Sequence, residues 1–195
     1  MRKLCLGMGS TKEEVVRFAT MLKSSDKIYA LNIAANKEST ELLLHHLYPG
    51  FSRNYTLISL FYYWGGLHLT RRFYLVSDII RRYNDLVRRA THCATGNNIR
   101  MCVEALELVA QNPALMEKIC EGKYVGEEDA AEIVRNALGT VLGFDDYMRV
   151  SGVVKHRVSC PSGNTHKLQL SDLDDYSWRV VRRFLRVSDV FAAPS

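Results

Sequence analysis

The segment from Arg71 to Ala90 constrains the fold most strongly, because arginine pairs alternate there with apolar residues at helical spacing. At about 100° per residue, one broad face collects Phe73, Leu75, Val76, Ile79, Ile80, Tyr83, Leu86, Val87 and Ala90. The opposite side and its margins collect Arg71, Arg72, Arg81, Arg82, Arg88 and Arg89. Such a helix must bury its apolar face, so the sequence predicts a long amphipathic helix packed on a core.

A second stretch near the C-terminus has the same pattern: RRFLRVSDV at 182–190 echoes RRFYLVSDI at 71–79. If 176–189 is helical, one side collects Trp178, Val180, Val181, Phe184, Leu185 and Val187. The other side collects Arg179, Arg182, Arg183 and Arg186. Both predicted helices need a cationic edge beside an apolar stripe, and this need explains the echo without an internal repeat.

The positive charge of the chain is concentrated in these two predicted helices. Residues 71–90 hold six arginines and two aspartates, a net of +4, and 176–189 hold four arginines and one aspartate, a net of +3. Because the whole chain carries +5, the remainder has a net charge of −2. Arginine offers a planar fork of donors that suits phosphate and carboxylate oxygens. We therefore predict that the ten arginines bind an anionic partner; alternatively, their stems only cover the edge of the core.

The rest of the chain predicts further helices joined by short connections, and then a change of pattern. Helical spacing or capping signals occur at 10–23, 26–36, 39–50, 54–64, 98–111, 113–122 and 127–143. Pro49 is expected to end the third of these helices, and Ser10 and Ser171 are expected to serve as N-caps.

The predicted fold is mainly α, with one or more helical bundles, a short C-terminal β-hairpin and a terminal helix. Residues 149–159 and 165–170 are roughly alternating and flank the turn CPSGN, which predicts the hairpin. We expect an N-terminal helical bundle at 1–95, a second helical unit at 96–148, and the hairpin with the basic helix at 149–195.

No combination of residues predicts an enzyme, a metal site or a cofactor. Neighbours on a helix point about 100° apart, so His45 and His46 cannot share one ion. The five cysteines are odd in number and lack CxxC spacing, which predicts reduced, buried thiols. The glycines of LGMGSTKEE do not predict a phosphate-binding loop, because no strand is expected before them and the Lys-Ser/Thr placement of a P-loop is missing. We expect a binding protein without catalytic activity.

Residues 41–108 resemble the helical amino-terminal half of orthomyxovirus matrix proteins. The likeness lies in the order of features: the apolar helix ELLLHHLYPGF with its proline break, an aromatic-rich helix, the arginine-led helix, and the turn ATGNN before another helix. HLYPGF is similar to the influenza C type, and the short chain suggests a diverged, isavirus-like member. Two features depart from the family: the Lys/Arg run of influenza A is absent, and the predicted hairpin has no counterpart.

The resemblance implies a viral structural protein beneath the virion envelope, found in the host at cytoplasmic membranes and in the nucleus. It implies contacts with anionic lipid and ribonucleoprotein, and self-association into an oligomer or array. Two other classes fit the same residues. An RNA-binding accessory protein that antagonises host defence would show a steep salt dependence and no liposome affinity. A helical interaction adaptor would use the apolar stretch at 60–69 and ignore anions.

Overall fold

A computed structural model describes residues 3–7, 10–25, 27–51, 56–62, 71–141, 143–156 and 170–190. Over these residues the protein is mainly helical, as predicted, with one small sheet. The strands are β1 (Lys3–Leu6), β2 (Ala30–Ile33) and β3 (Ser59–Tyr62). The helices are α1 (Lys12–Ser24), α2 (Lys37–Phe51), α3 (Arg71–Ala94), α4 (Arg100–Val109), α5 (Pro113–Lys123), α6 (Glu127–Thr140), α7 (Phe144–Val150) and α8 (Asp175–Arg182).

The chain divides into two compact units. The first comprises Met1–Arg88 and Gln111–Lys118, and the second comprises Arg89–Ala110 and Ile119–Ser195. Apart from Gln111–Lys118, which belongs to the first unit, the described residues of the second and third predicted segments lie together in the second unit.

The first unit contains a parallel sheet in the order β1-β2-β3. Lys3 pairs with Ala30, and Ala30 pairs with Ser59, so the three strands begin in register. Parallel neighbours need a crossover connection, which α1 supplies between β1 and β2 and α2 supplies between β2 and β3. The two crossover helices pack against each other. The result is a βαβαβ arrangement.

Two segments of the first unit that were predicted to be helices contain strands, so these predictions were wrong. β2 lies inside 26–36, and β3 lies inside 54–64, where the described residues 56–62 hold no helix. Leu31 and Ile33 of β2 are completely buried. A short continuous apolar run suits a buried parallel strand as well as a helix, and here the pairing of the strands determines the outcome.

The helix α3 confirms the amphipathic prediction and extends it to Ala94. Val76, Ile80, Tyr83 and Val87 are buried along its apolar side. The hydroxyl of Tyr83 donates a hydrogen bond of 2.6 Å to the carbonyl oxygen of Phe51. The prediction over 71–90 succeeds because most of the large apolar side chains lie on one side of the helix, although Tyr74 is exposed.

The helices α1 and α2 have boundaries that differ from the prediction. Thr11, rather than Ser10, is the N-cap of α1, and the Asn36 side chain caps α2 by accepting from the Ser39 amide at 2.8 Å. Pro49 does not end α2, which continues to Phe51. A proline this close to the end of a helix removes a hydrogen bond only from the last turn.

The core of the second unit forms around α4 and an aromatic cluster. Cys102, Val103 and Leu106 of α4 are buried. Trp178 of α8 is fully buried, with ring centroids 5.0 Å from Phe144 and 5.5 Å from Tyr147. Edge-to-face contacts at these distances add to the apolar burial. They fix α8 to this unit.

The C-terminal region differs from its prediction. Of the predicted hairpin, 157–169 lie outside the described residues, while 149–156 form the end of α7, a turn and bends rather than a strand. The predicted helix at 176–189 is shorter: α8 ends at Arg182 and is followed by a turn and a short 3-10 helix at Val187–Asp189. Asp174, not Ser171, is its N-cap. The Asp174 carboxylate accepts from the Ser177 amide at 2.6 Å, and this hydrogen bond lowers its pKa.

Candidate anion-binding sites

Four arginines of the first unit form an exposed surface along α3, which we call the α3 arginine face: Arg71, Arg81, Arg82 and Arg88. The side chains of Arg81 and Arg88 are 79% and 64% exposed. The buried side of the same helix holds it on the core, so the cations stand on a fixed support. The predicted exposure of these four residues is confirmed, and their binding of an anion stays a prediction.

Two aspartates interrupt the α3 arginine face. Asp78 pairs with Arg81 at 3.1 Å and Asp85 pairs with Arg88 at 2.7 Å, each one turn apart on the helix. Exposed pairs of this kind are worth only a few tenths of a kcal/mol, so an anionic ligand can compete for the guanidinium groups. Within the described part of the chain, no ion pair is recorded for Arg71 or Arg82. With both aspartates included, the face carries a net charge of +2.

The two other arginines predicted on this helix are placed differently. Arg72 is half-exposed, lies 3.9 Å from the carboxylate of Glu41, and lines a separate cleft. Arg89 is half-buried, already takes part in another interaction, and belongs to the second unit. The six predicted residues therefore do not form one surface of the first unit.

Of the C-terminal arginines, Arg179, Arg183 and Arg186 are exposed, but Arg182 is not. The prediction that Arg182 binds an external anion is contradicted by its position. Only 7% of its side chain is exposed, and its guanidinium group binds the carboxylate of Glu107. It also lies 4.5 Å above the ring of Tyr147.

The helical wheel failed here for a local reason. Arg182 follows Trp178 by four residues, which places both on the same side of α8, and Trp178 is buried. The chain leaves the helix directly after Arg182, so Phe184, predicted to pack in the core, is instead 82% exposed.

A cleft of about 700 Å³ opens in the first unit beside the beginnings of α1 and α2. Its lining includes Thr11, Lys12, Asn36, Glu38, His45 and Arg72. Because β1 and β2 lead directly into these helices, the cleft lies at the carboxyl end of the parallel strands. Open parallel sheets bind their ligands on this side.

This cleft was not predicted, because no strand was expected before LGMGSTKEE. That expectation was wrong: β1, with the sequence KLCL, is the missing strand. Thr11 then begins α1 with a reciprocal pair of bonds, in which its hydroxyl accepts from the Glu14 amide at 3.3 Å and its own amide donates to the Glu14 carboxylate at 2.7 Å. The hydrogen bond from the Thr11 amide, followed by the interaction with the Thr11 side chain, lowers the pKa of the Glu14 carboxyl group.

Cysteine burial is uneven. Cys93 and Cys102 are buried, Cys120 is half-buried and Cys5 is exposed, which the expectation of buried thiols did not foresee. Burial, with Cys102 and Glu107 nearby, raises the pKa of Cys93 to about 11.

Among the described residues, no group of three or more metal-ligating side chains could hold a metal ion. None of the described helices has the length and apolar character needed to cross a bilayer.

Comparison of the chain with protein-family models, with characterised proteins and with solved structures found no match.

Proposed function

We propose that this protein is a structural protein of the matrix type, without catalytic activity, whose α3 arginine face binds the anionic headgroups of a lipid membrane. The observation that best supports membrane binding is that α3 has four exposed arginines on one side and a buried apolar side opposite them. The matrix role itself rests on the resemblance of residues 41–108 to orthomyxovirus matrix proteins.

The charge on the face predicts weak binding by a single molecule. A cation close to an anionic membrane surface gains about 1 kcal/mol, so a net charge of +2 yields only about 2 kcal/mol. Such a contact is lost readily in salt, because exposed charges are screened beyond about 8–10 Å. Self-association would place many such faces on one membrane, and the avidity of the array would replace the affinity that one copy lacks.

A lipid surface fits the α3 arginine face better than single-stranded RNA does. At 1.5 Å per residue, the 24 residues of α3 form a rod of about 36 Å that can lie along a flat surface. Sites for single-stranded nucleic acid usually combine cations with several stacking aromatic rings. Tyr74 is the only exposed Phe, Tyr or Trp side chain of α3, all of whose residues are described.

The test compares two triple variants that remove the same charge. Arg81→Ala/Arg82→Ala/Arg88→Ala removes three cations from the face, and Arg17→Ala/Lys27→Ala/Lys37→Ala removes three exposed cations elsewhere in the first unit. Co-sedimentation with vesicles of phosphatidylserine and phosphatidylcholine, and of phosphatidylcholine alone, measures binding.

We expect the face variant to bind anionic vesicles up to about a hundredfold more weakly and the control variant to stay near the wild type. The variant Asp78→Asn/Asp85→Asn should bind more tightly, because it raises the charge of the face. Equal losses in the two triple variants, or equal binding to both kinds of vesicle, would contradict the proposal. RNA binding without vesicle binding would replace it with the RNA-binding alternative.

Self-association is tested separately by analytical ultracentrifugation and by vesicle binding as a function of protein concentration at fixed lipid. We expect concentration-dependent oligomers and a cooperative binding curve. A protein that stays monomeric and binds without cooperativity would exclude the matrix role.

A further inference from the structure

The cleft at the carboxyl end of β1 and β2 has the size and position of a small-molecule site. Its volume of about 700 Å³ lies within the range of about 300–1,000 Å³ that such sites occupy. Three successive helices line it: the beginnings of α1 and α2, which belong to the βαβαβ arrangement, and the first turn of α3, which follows β3. The cleft therefore depends on the parallel sheet, which sets these three segments side by side.

Two cations of the cleft can hold a phosphate group. Lys12 is the first residue of α1, and its side chain is exposed. The guanidinium group of Arg72 has one weak, partly exposed contact, at 3.9 Å from Glu41, so its donors can turn to a ligand. Arginine and lysine are the side chains that most often bind phosphate oxygens. The helix N-termini beside them add partial positive charge.

Two carboxylates in the same lining narrow the class of ligand. Glu38 and Glu41 balance the charges of Lys12 and Arg72, so the cleft does not favour a bare polyanion. Carboxylates accept hydrogen bonds and cannot donate them when ionised. A ligand with one phosphate for the cations and hydroxyl groups for the carboxylates would satisfy both kinds of charged side chain in the lining.

We propose that this cleft binds a small phosphate monoester that also carries neighbouring hydroxyl groups, that is, a mononucleotide or a sugar phosphate. Lys12 and Arg72 hold the phosphate, and Glu38 accepts from a hydroxyl group. The site is separate from the α3 arginine face and does not depend on the proposed membrane function.

Isothermal titration of the full chain with AMP, ribose 5-phosphate, adenosine and inorganic phosphate tests the proposal. AMP or ribose 5-phosphate should bind saturably and more tightly than adenosine or inorganic phosphate. Tighter binding of AMP would identify a nucleotide site, and tighter binding of ribose 5-phosphate a sugar phosphate site.

Matched variants locate the site. Lys12→Ala and Arg72→Ala should each weaken binding roughly tenfold or more, as expected for a lost bond to a charged group. Lys37→Ala and Arg17→Ala are the controls, because Lys37 is the first residue of α2, Arg17 is an exposed arginine of α1, and neither lines the cleft. Glu38→Gln should weaken AMP and ribose 5-phosphate while leaving inorganic phosphate unchanged.

The proposal is overturned if neither monoester binds at concentrations up to about 10 mM, if inorganic phosphate binds as tightly as both, or if the controls lose as much as the cleft variants. The triple variant of the α3 arginine face should still bind AMP, and Lys12→Ala should still bind anionic vesicles. These measurements can therefore contradict the monoester site and the membrane-binding face independently of each other.

Discussion

The buried ion pair between Arg182 and Glu107 should contribute strongly to the stability of the second unit. The side chains are 7% and 10% exposed, and the other carboxylate oxygen of Glu107 accepts from the Val187 amide at 3.0 Å. Removing Arg182 leaves the carboxylate of Glu107 buried with this single partner. Breaking one side of a buried pair costs about 3–5 kcal/mol, so Arg182→Ala should lower the free energy of unfolding by about that amount.

Trp178 provides an assay local to this unit. The chain has two tryptophans, so in a Trp64→Phe background the fluorescence of Trp178 reports urea unfolding beside Tyr147 and Phe144. All variants are compared with this background. Arg183→Ala is the matched control, because Arg183 is the next residue and is exposed; it should change stability by less than about 0.5 kcal/mol.

A double variant separates the loss of the pair from the burial of an unpaired charge. Arg182→Met/Glu107→Leu replaces both partners with apolar side chains and leaves no buried charge behind, which is often neutral or stabilising. Its remaining cost is the unpaired Val187 amide, about 1–3 kcal/mol. The reasoning is refuted if Arg182→Ala lowers the free energy of unfolding no more than Arg183→Ala does. It is also refuted if the loss in Arg182→Met/Glu107→Leu equals the sum of the losses in Arg182→Met and Glu107→Leu, each made alone.

Three further predictions concern Tyr83 and the cysteines. Tyr83→Phe should lower the free energy of unfolding by about 1–3 kcal/mol, because the Phe51 carbonyl loses its buried donor. The control Tyr74→Phe, on the exposed side of α3, should change the free energy of unfolding little. Thermal unfolding measures both variants. Iodoacetamide at pH 8 should label Cys5 and spare Cys93, as peptide mass spectrometry can show. As the pH rises from 9 toward 11, stability should fall, because the thiol of Cys93 ionises first in the unfolded chain.

The elements that could be predicted from the sequence are helices whose own residues show helical spacing or helix-end residues. The helix α3 has enough turns for its apolar side and its arginine side to be distinguished, α5 begins at Pro113 after the cap residue Asn112, and α6 begins with three acidic residues. The strands were missed because each has only four residues. In β2, three of these four are buried, so the alternation that usually identifies a strand is absent.

The burial of Arg182 could not be predicted from its own segment. Its partner Glu107 lies 75 residues earlier in the chain, and nothing in the sequence of α4 indicates that Glu107, rather than Glu104, pairs with an arginine of α8. A helical wheel for residues 176–189 places all four arginines opposite the apolar side and therefore predicts that each is exposed to solvent. Tertiary contacts bury Arg182 alone: Glu107 and the Leu185 carbonyl accept from its two terminal nitrogens and the ring of Tyr147 lies beneath the group, while its buried Nε has no hydrogen-bond partner among the described residues.

The neighbouring residues Arg71 and Arg72 show how one sequence feature can serve two sites. They point about 100° apart on α3, and this angle is enough to place Arg71 on the exposed face and Arg72 on the cleft. The sequence alone does not distinguish the roles of Arg71 and Arg72. The difference arises because the parallel order β1-β2-β3 brings the first turn of α3 beside the beginnings of α1 and α2. If both proposals are correct, Arg72→Ala must impair monoester binding more than vesicle binding. Arg71→Ala must do the reverse.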